Sequence, residues 1–295
     1  MDSPRFAVGV PEDHRRATVL GVDIAYTDTG HGLPVVCLHA TGHGARDFAH
    51  LPQLCGDPIR VVALDWPGHG RSADDSAPAS AERYAELLEA FIERLSLGRV
   101  VLLGNSIGGA AAILYTAKHP DKVCGLVLAT SGGLVEVNGF VRFVCNRVAD
   151  FFRAGVKKRR WFGPAFALYY RMILNKGDIR EHRRRIVAAG YDHAPVLEQA
   201  WRSFARPDAD LRHLLPTIKC NTFVVWAKGD RILAYRACKP AIDTIPNAET
   251  VLFKGGHSAF LEDPETFREH FTRFIRGCSR QTSAHADLEV PLASG

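Results

Sequence analysis

The sequence predicts an α/β protein with a mostly parallel sheet flanked by helices and a helical insertion after the sixth strand. Short apolar, β-branched runs alternate with helical patterns from residue 18 to 130 and again from 221 to 276, as expected of crossover connections between parallel strands. Between residues 130 and 221 the sequence shows successive helical patterns without strand patterns between them. We therefore expect a core from residues 1–133 and 217–278, a helical lid from 134–216, and a flexible tail from 279–295.

The expected strands and helices follow in chain order. The first strand, Thr18–Tyr26, alternates between apolar and polar residues. The later strands have continuously apolar centres, as strands buried on both faces should have; they are Pro34–Leu38, Arg60–Asp65, Arg99–Gly104, Lys122–Ala129, Thr222–Trp226 and Glu249–Phe253. The helices expected between and after them are Arg46–Leu54, Ser80–Leu95, Ser106–Lys118, Ala234–Ile242 and Pro264–Arg276.

The insertion is expected to be amphipathic and basic. Helix Phe140–Phe152 places one apolar stripe opposite a polar one, and the apolar stripe consists of Phe140, Val144, Val148 and Phe151. Two more helices are expected around Pro164–Leu174 and Asp178–Ala189. Residues 134–216 carry about 16 Lys and Arg against 8 Asp and Glu. The basic runs 157–160 and 183–185 are either solvated helix faces or surfaces that attract an anionic substrate or a membrane.

Composition indicates a soluble globular enzyme. The 295 residues are 46% hydrophobic and 23% charged, with a formal net charge of +5. No apolar run approaches the roughly 18 residues of a membrane span, and no nucleic-acid motif accompanies the basic runs. Seven widely spaced cysteines without a C-x-x-C pair favour reduced thiols, as in a cytoplasmic protein. We expect no metal and no other cofactor. The oligomeric state is not specified.

A candidate nucleophile lies directly after the strand Arg99–Gly104. Gly104-Asn105-Ser106-Ile107-Gly108 matches the G-x-S-x-G pattern and precedes a helix-forming run. A nucleophile at such a tight turn needs very small neighbours two positions before and after it, and Gly104 and Gly108 meet that need. The turn places Ser106 at the positive end of a helix and directs the Ile107 N–H towards a developing oxyanion.

A serine hydroxyl needs a base within hydrogen-bonding reach and a carboxylate that orients the base. Asp230 follows the strand that ends at Trp226, and His257 follows the strand that ends at Phe253. The chain order of the three candidates is therefore Ser, Asp, His. Two alternatives stay open: Asp230 as a surface turn residue and His257 as a solvated histidine.

The loop after Leu38 is expected to complete the oxyanion hole through the Thr41 N–H. His39 and His43 have a spacing found in metal sites, but the loop is not helical and no acidic partner accompanies them, so we expect no metal here. The segment Asp65–Ser72, after the next strand, is expected to be a structural turn near the pocket.

From about Thr18 to Arg276 the chain resembles the α/β-hydrolase superfamily. The resemblance is carried by the His39 loop with the turn Asp65–Ser72, by the elbow Gly104–Gly109, and by the pair Asp230 and His257. Ala40 stands where the family pattern usually has glycine. Dehalogenases and epoxide hydrolases of this superfamily use an aspartate at the elbow, so Ser106 favours the serine branch. There the resemblance is to esterases and carbon–carbon bond hydrolases, and the insertion resembles their lid.

Three functions follow as hypotheses. The first is a serine hydrolase that cleaves an ester, thioester or related acyl bond of an anionic or apolar small molecule through an acyl-enzyme. The second is hydrolysis of a carbon–carbon bond in a vinylogous diketone acid. The third is a slow-turnover ligand receptor that keeps the Ser-His-Asp set.

Overall fold

The computed structural model describes residues 14–54, 58–174 and 179–288, with side chains as far as Arg280. Eight strands form one sheet in the order β1-β2-β4-β3-β5-β6-β7-β8. The β1–β2 and β2–β4 pairs are antiparallel, and the remaining pairs are parallel. The strands are β1 His14–Val19, β2 Val22–Gly30, β3 Leu33–Leu38, β4 Ile59–Leu64, β5 Val100–Asn105, β6 Val123–Ala129, β7 Asn221–Ala227 and β8 Ala248–Phe253.

The helices lie between and after these strands. They are α1 Leu51–Leu54, α2 Ala81–Arg94, α3 Ile107–Lys118, α4 Gly139–Val156, α5 Phe162–Ile173, α6 Arg180–Ala188, α7 Gly190–Ser203, α8 Tyr235–Ile242, α9 Ala259–Glu262 and α10 Pro264–Leu288. Short 3₁₀ helices occur at Ala45–Phe48, Pro120–Lys122, Pro207–Ala209 and Arg212–Thr217. The mostly parallel sheet flanked by helices confirms the predicted fold class.

Both faces of the sheet are buried. Val36 and Leu38 of β3 lie in a cluster with residues of α2, α3 and α8, whereas Val35 and Cys37 of the same strand lie in a cluster with residues of α10. Alternate side chains of a strand point to opposite faces, so helices on both sides explain why these strands have continuously apolar centres.

The single strand predicted over Thr18–Tyr26 is wrong, because the segment is a hairpin of β1 and β2. Val19 pairs with Val22 across a two-residue turn of Leu20 and Gly21, both in the left-handed region with φ of 48° and 81°. Such turns match the twist of the strands they join. The alternation of apolar residues continues through the turn, so periodicity alone did not reveal it.

Helix α4 buries a different face from the predicted one. Cys145, Ala149 and Phe152 are buried, whereas Phe140 is 75% exposed. Small residues let α4 approach α7 closely, and a Cβ on Gly155 would lie 2.7 Å from the Ala194 Cβ. The stripe of α4 that contains Phe140 is therefore not the face that packs against α7. Close approach of these two helices requires small side chains between them.

Among the described residues between β6 and β7, which exclude 175–178, the chain forms four helices, α4 to α7. The sequence analysis did not identify α7, because Gly190 at its start and Pro195 within it are typical helix breakers. Its buried residues Ala194, Leu197 and Trp201 follow a helical spacing that was a usable signal.

The last helix extends beyond its predicted end. Helix α10 continues from Pro264 to Leu288, past its predicted end at Arg276 and into the segment expected to be a flexible tail. The flexibility of that segment stays a prediction. No proline interrupts the chain between Pro264 and Pro291, and a helix can continue there without an apolar stripe. The tail residues 289–295 lie outside the described part of the chain.

Two further observations concern membrane-spanning helices and the state of the cysteines. Within the described ranges, no helix is both long and apolar enough to cross a bilayer. The six cysteines of those ranges are free thiols: Cys37, Cys124, Cys145, Cys220, Cys238 and Cys278. Cys55 lies outside the described residues.

Candidate active site

Ser106 occupies a strained turn between β5 and α3. Its φ of 53° and ψ of −116° lie where non-glycine residues rarely occur. A Cβ on Gly104 would lie 2.4 Å from the Gly108 carbonyl oxygen, and a Cβ on Gly108 would lie 2.3 Å from the Leu38 oxygen. Only glycine fits at either position, as the sequence pattern predicted, and the turn therefore holds Ser106 in one conformation.

The helix that follows provides an electropositive environment for Ser106. The Ser106 carbonyl accepts hydrogen bonds from the N–H groups of Gly109, Ala110 and Gly132, at 3.0, 3.1 and 2.9 Å. Ile107 begins α3, and the first N–H groups of a helix have no partner within it. The Ile107 N–H is therefore available to an oxygen anion beside Ser106.

Asp230 and His257 form a buried hydrogen-bonded pair. Asp230 Oδ2 lies 2.9 Å from His257 Nδ1, and Asp230 Oδ1 accepts the N–H groups of Ile232 and Leu233 at 2.7 and 3.0 Å. Burial alone raises the pKa of Asp230, but the nearby His257 and these hydrogen bonds outweigh it and hold that pKa below its usual value. Asp230 is thus a buried carboxylate that orients His257, and not a surface turn residue.

The backbone of His257 is fastened to the nucleophile turn. Its carbonyl accepts hydrogen bonds from the Asn105 amide, at 3.2 Å, and from the Thr130 hydroxyl. The Ser258 hydroxyl donates to Asn105 Oδ1 at 3.0 Å. Asn105 directly precedes Ser106, so these bonds hold the His257 backbone close to the Ser106 turn.

A direct Ser106–His257 hydrogen bond is absent from the described part of the chain. Such bonds are often long in an enzyme without substrate. The structure thus brings the loops of Ser106, Asp230 and His257 together at the carboxyl ends of β5, β7 and β8, and the Asp230–His257 contact is formed.

The loop that carries Thr41 is held from two sides. Gly42, with φ of 78°, lies in a turn closed by the bond from His43 N–H to the Ala40 carbonyl. His69 Nε2 accepts the Gly42 N–H at 2.9 Å. From the insertion, the Tyr170 hydroxyl donates to the Thr41 carbonyl at 3.2 Å.

The helical insertion also contacts the other side of the site. The N–H of His257 donates to the carbonyl of Ile173, the last residue of α5, at 3.1 Å. The end of α5 therefore contacts both the Thr41 loop and the His257 loop, a connection that no sequence pattern indicated.

Two buried histidines act as hydrogen-bond acceptors for loop backbone. His39 Nε2 accepts the Trp66 N–H at 2.9 Å and its Nδ1 lies 2.7 Å from the Ala40 carbonyl. Burial lowers the pKa of His39 to about 4 and lowers that of His69 well below its ordinary value. Both rings are neutral near pH 7. The Asp65–Ser72 segment, which contains His69, thus supports the Thr41 loop through hydrogen bonds.

A second His-Asp contact escaped the sequence analysis. His43 Nδ1 lies 2.6 Å from Asp47 Oδ2, and His182 of α6 places Nε2 3.0 Å from Asp47 Oδ1. These groups are close enough together to hold a metal ion. Arg185, however, donates to His182 Nδ1 at 2.8 Å, so a neutral His182 carries its proton on Nε2, where a metal would need a lone pair. The arrangement is a contact at ion-pair distance between core and insertion.

Comparison with known protein families identifies the family of this chain. The profile described as "Alpha/beta hydrolase family" matches residues 35–270, well over half of the chain. The chain belongs to the alpha/beta hydrolase family. The matched range contains the Thr41 loop, the Ser106 turn and the Asp230–His257 pair, which confirms the resemblance inferred from these segments.

Several curated and solved members of the alpha/beta hydrolase family are similar to this chain. The "2-hydroxy-6-oxononadienedioate/2-hydroxy-6-oxononatrienedioate hydrolase 1" of Pseudomonas putida is 27% identical over 269 residues, which cover 87% of this chain and 93% of that protein. A thermophilic esterase from Thermogutta terrifontis superimposes with a TM-score of 0.75 at 23% identity, covering 90% and 99% of the two chains. An enol-lactonase from Burkholderia xenovorans LB400 gives 0.73 at 20% identity, covering 89% and 100%.

Proposed function

We propose that this member of the alpha/beta hydrolase family is a serine hydrolase that cleaves an ester or related acyl bond through an acyl-enzyme on Ser106. The observation that carries the proposal is the 2.9 Å contact between Asp230 and His257, on a loop fastened to Asn105 beside the strained Ser106. A strained serine, a histidine and a buried carboxylate together form the set that nucleophilic acyl transfer requires.

The contact determines how the proton moves. Asp230 accepts the Nδ1–H of His257, so the Nε2 lone pair faces the pocket as a base. Nε2 removes the Ser106 proton while Oγ bonds to the substrate carbonyl carbon, and it then gives that proton to the leaving group. Water hydrolyses the resulting ester on Ser106, again with His257 as base.

The developing oxyanion is stabilised by two backbone donors in this proposal. The Ile107 N–H at the start of α3 is one, and the Thr41 N–H is the other. Support for Thr41 comes from the two bonds that hold its loop, from Tyr170 and to His69. Preorganised donors are effective because they need no reorientation in the transition state.

Substitution of the nucleophile tests the proposal. Ser106→Ala should lower turnover of p-nitrophenyl acetate at least about 10³-fold, because no other group forms the acyl-enzyme. The exposed Ser76→Ala is the matched control and should keep full activity. Circular dichroism and thermal unfolding should be unchanged in both variants. Full activity in Ser106→Ala would refute the proposal.

A second candidate is carbon–carbon bond hydrolysis, which the curated relatives favour. The compounds in their names carry two carboxylates, an enol and a ketone but no ester, so water must break a carbon–carbon bond in them. The same Ser106, His257 and Asp230 would act on the ketone carbonyl. Comparing kcat/KM for such a dioate with that for p-nitrophenyl acetate and a thioester separates the two candidates.

A slow-turnover receptor is the alternative from another class. In that case ligand would react once with Ser106 and remain bound. Rapid multiple turnover of any member of the substrate panel excludes it, whereas a single burst without turnover favours it.

A further inference from the structure

A cavity of about 540 Å³ opens where the end of α5 meets the loops after β7 and β8. It is lined by Arg171, Met172, Lys228, Gly229, Arg231, Lys254 and Gly255. Its volume lies within the roughly 300–1,000 Å³ that is usual for small-molecule sites. Its lining includes neither Ser106, Thr41 nor His257, so it is separate from the proposed acyl site.

Four cationic side chains from three chain segments surround this cavity. Arg171 comes from the insertion, Lys228 and Arg231 flank Asp230, and Lys254 precedes the His257 loop. None of the four forms a salt bridge within the part of the chain that the structure describes. Like charges held around one concave surface repel each other and concentrate anions there.

The carboxylates of the neighbouring loops are engaged elsewhere. Asp230 is buried and bonded to His257 and to two backbone N–H groups. Glu262 is buried, and its Oε1 accepts the Gly256 N–H at 2.7 Å. Neither belongs to the cavity lining, so the lining groups have a strong excess of positive charge.

Two glycines of the cavity lining lie where the loops after β7 and β8 meet. A Cβ on Gly229 would lie 2.5 Å from the Gly255 carbonyl oxygen, so the two loops touch through backbone alone. Gly255 has φ of 134°, a conformation that other residues rarely adopt.

We propose that this cavity binds a phosphorylated small molecule. Arg171 and Arg231 offer guanidinium forks that match phosphate oxygens, and Lys228 and Lys254 add point charges. A phosphorylated molecule bound in this cavity would contact the insertion, the loop that carries Asp230 and the loop that carries His257. The inference concerns binding at this cavity and stands independently of the proposed hydrolysis.

Pyrophosphate binding, followed by isothermal titration calorimetry at constant ionic strength, tests the inference. The full chain is titrated as wild type, as Lys228→Gln with Lys254→Gln, and as the control pair Lys157→Gln with Lys158→Gln. The control removes two equally exposed cations from the loop after α4. We expect about tenfold weaker binding for each cavity cation removed, and less than a twofold change in the control.

Three outcomes overturn the inference: no pyrophosphate binding to wild type, equal weakening in both pairs, or citrate binding the cavity as tightly as pyrophosphate. Arg171→Gln provides a second variant on another segment, and it too should weaken binding. Titrating Ser106→Ala separates the two proposals, because binding should persist there whether or not the wild type hydrolyses esters.

Discussion

The sheet core and the helical insertion contribute to the candidate site in different ways. In the core, Ser106 and His257 are held by backbone geometry and by buried hydrogen bonds to neighbouring strands and loops. The insertion reaches the same site through the Tyr170 hydroxyl, the Ile173 carbonyl and the His182 ring. The groups that we propose to react thus come from the core, and the insertion contacts the loops that carry them.

This difference predicts a ranking of effects. A change to a core group removes a reacting atom or creates a backbone clash, whereas a change to an insertion contact removes one hydrogen bond. Measured effects that reversed this ranking would show that the insertion, and not the core, carries the chemistry.

The largest effect is expected for the carboxylate. In Asp230→Asn the amide oxygen is needed as acceptor for the Ile232 and Leu233 N–H groups, so the amide NH₂ faces His257 Nδ1 and disfavours its protonated form. We expect kcat to fall roughly 10³- to 10⁴-fold with little change in thermal unfolding. Asp243→Asn, which changes an exposed aspartate paired with Lys239, is the control. A loss below tenfold would remove Asp230 from the mechanism.

The next effect concerns the tight turn. Gly108→Ala would place a Cβ 2.3 Å from the Leu38 oxygen, so backbone must move. Urea denaturation should show a loss of about 3 kcal/mol or more in the free energy of unfolding. Gly98→Ala is the control, because nothing lies within 4 Å of its added Cβ; its stability should stay within about 0.5 kcal/mol of wild type. Equal stability of the two variants would contradict the described packing.

Acid should destabilise the fold through its buried histidines. His39 has a folded pKa of about 4 against 6.5 ordinarily, so the unfolded chain binds its proton first as pH falls. Stability is therefore complete above pH 6.5 and is lost between 6.5 and 4, by about 3 kcal/mol for this group. Urea denaturation at pH 7, 5.5 and 4.5 measures the slope.

A variant assigns this slope to His39. His39→Gln should show a shallower decline than wild type, because its side chain does not titrate. His31→Gln, at an exposed position, should leave the decline unchanged. A wild-type stability that stays constant from pH 7 to 4.5 would exclude neutral buried histidines.

The smallest effect is expected for the insertion. Tyr170→Phe removes the bond to the Thr41 carbonyl, worth about 1 kcal/mol, so kcat should fall about fivefold while KM stays similar. Tyr191→Phe is the control, because the Tyr191 hydroxyl bonds to the Arg159 carbonyl within the insertion. Equal kinetics in both variants would mean that Tyr170 does not position the Thr41 loop.

Local sequence patterns predicted the elements and loops that depend on neighbouring residues. The Gly104 and Gly108 spacing predicted the elbow because one steric demand, the close approach of Gly104 to the Gly108 carbonyl, lies within five residues. The loops of Asp230 and His257 followed from the order of strands, since parallel strands end at the same edge. The roles assigned to these residues and to Thr41 remain predictions.

Contacts between distant segments left no such pattern. The link from His182 to Asp47 joins residues far apart in the chain, and so does the bond from Tyr170 to Thr41. The packed face of α4 was also misjudged, because its partner α7 selects small residues and leaves Phe140 exposed. Periodicity indicates that a helix is amphipathic, but it does not identify which neighbour it meets.

The bond from the His257 N–H to the Ile173 carbonyl has a consequence for how a reactant reaches the interior. If α5 moves outward to admit a molecule, the buried His257 N–H loses its hydrogen-bond acceptor, the Ile173 carbonyl, and must bond to water instead. The position of α5 and that of the His257 backbone are therefore coupled through this single bond.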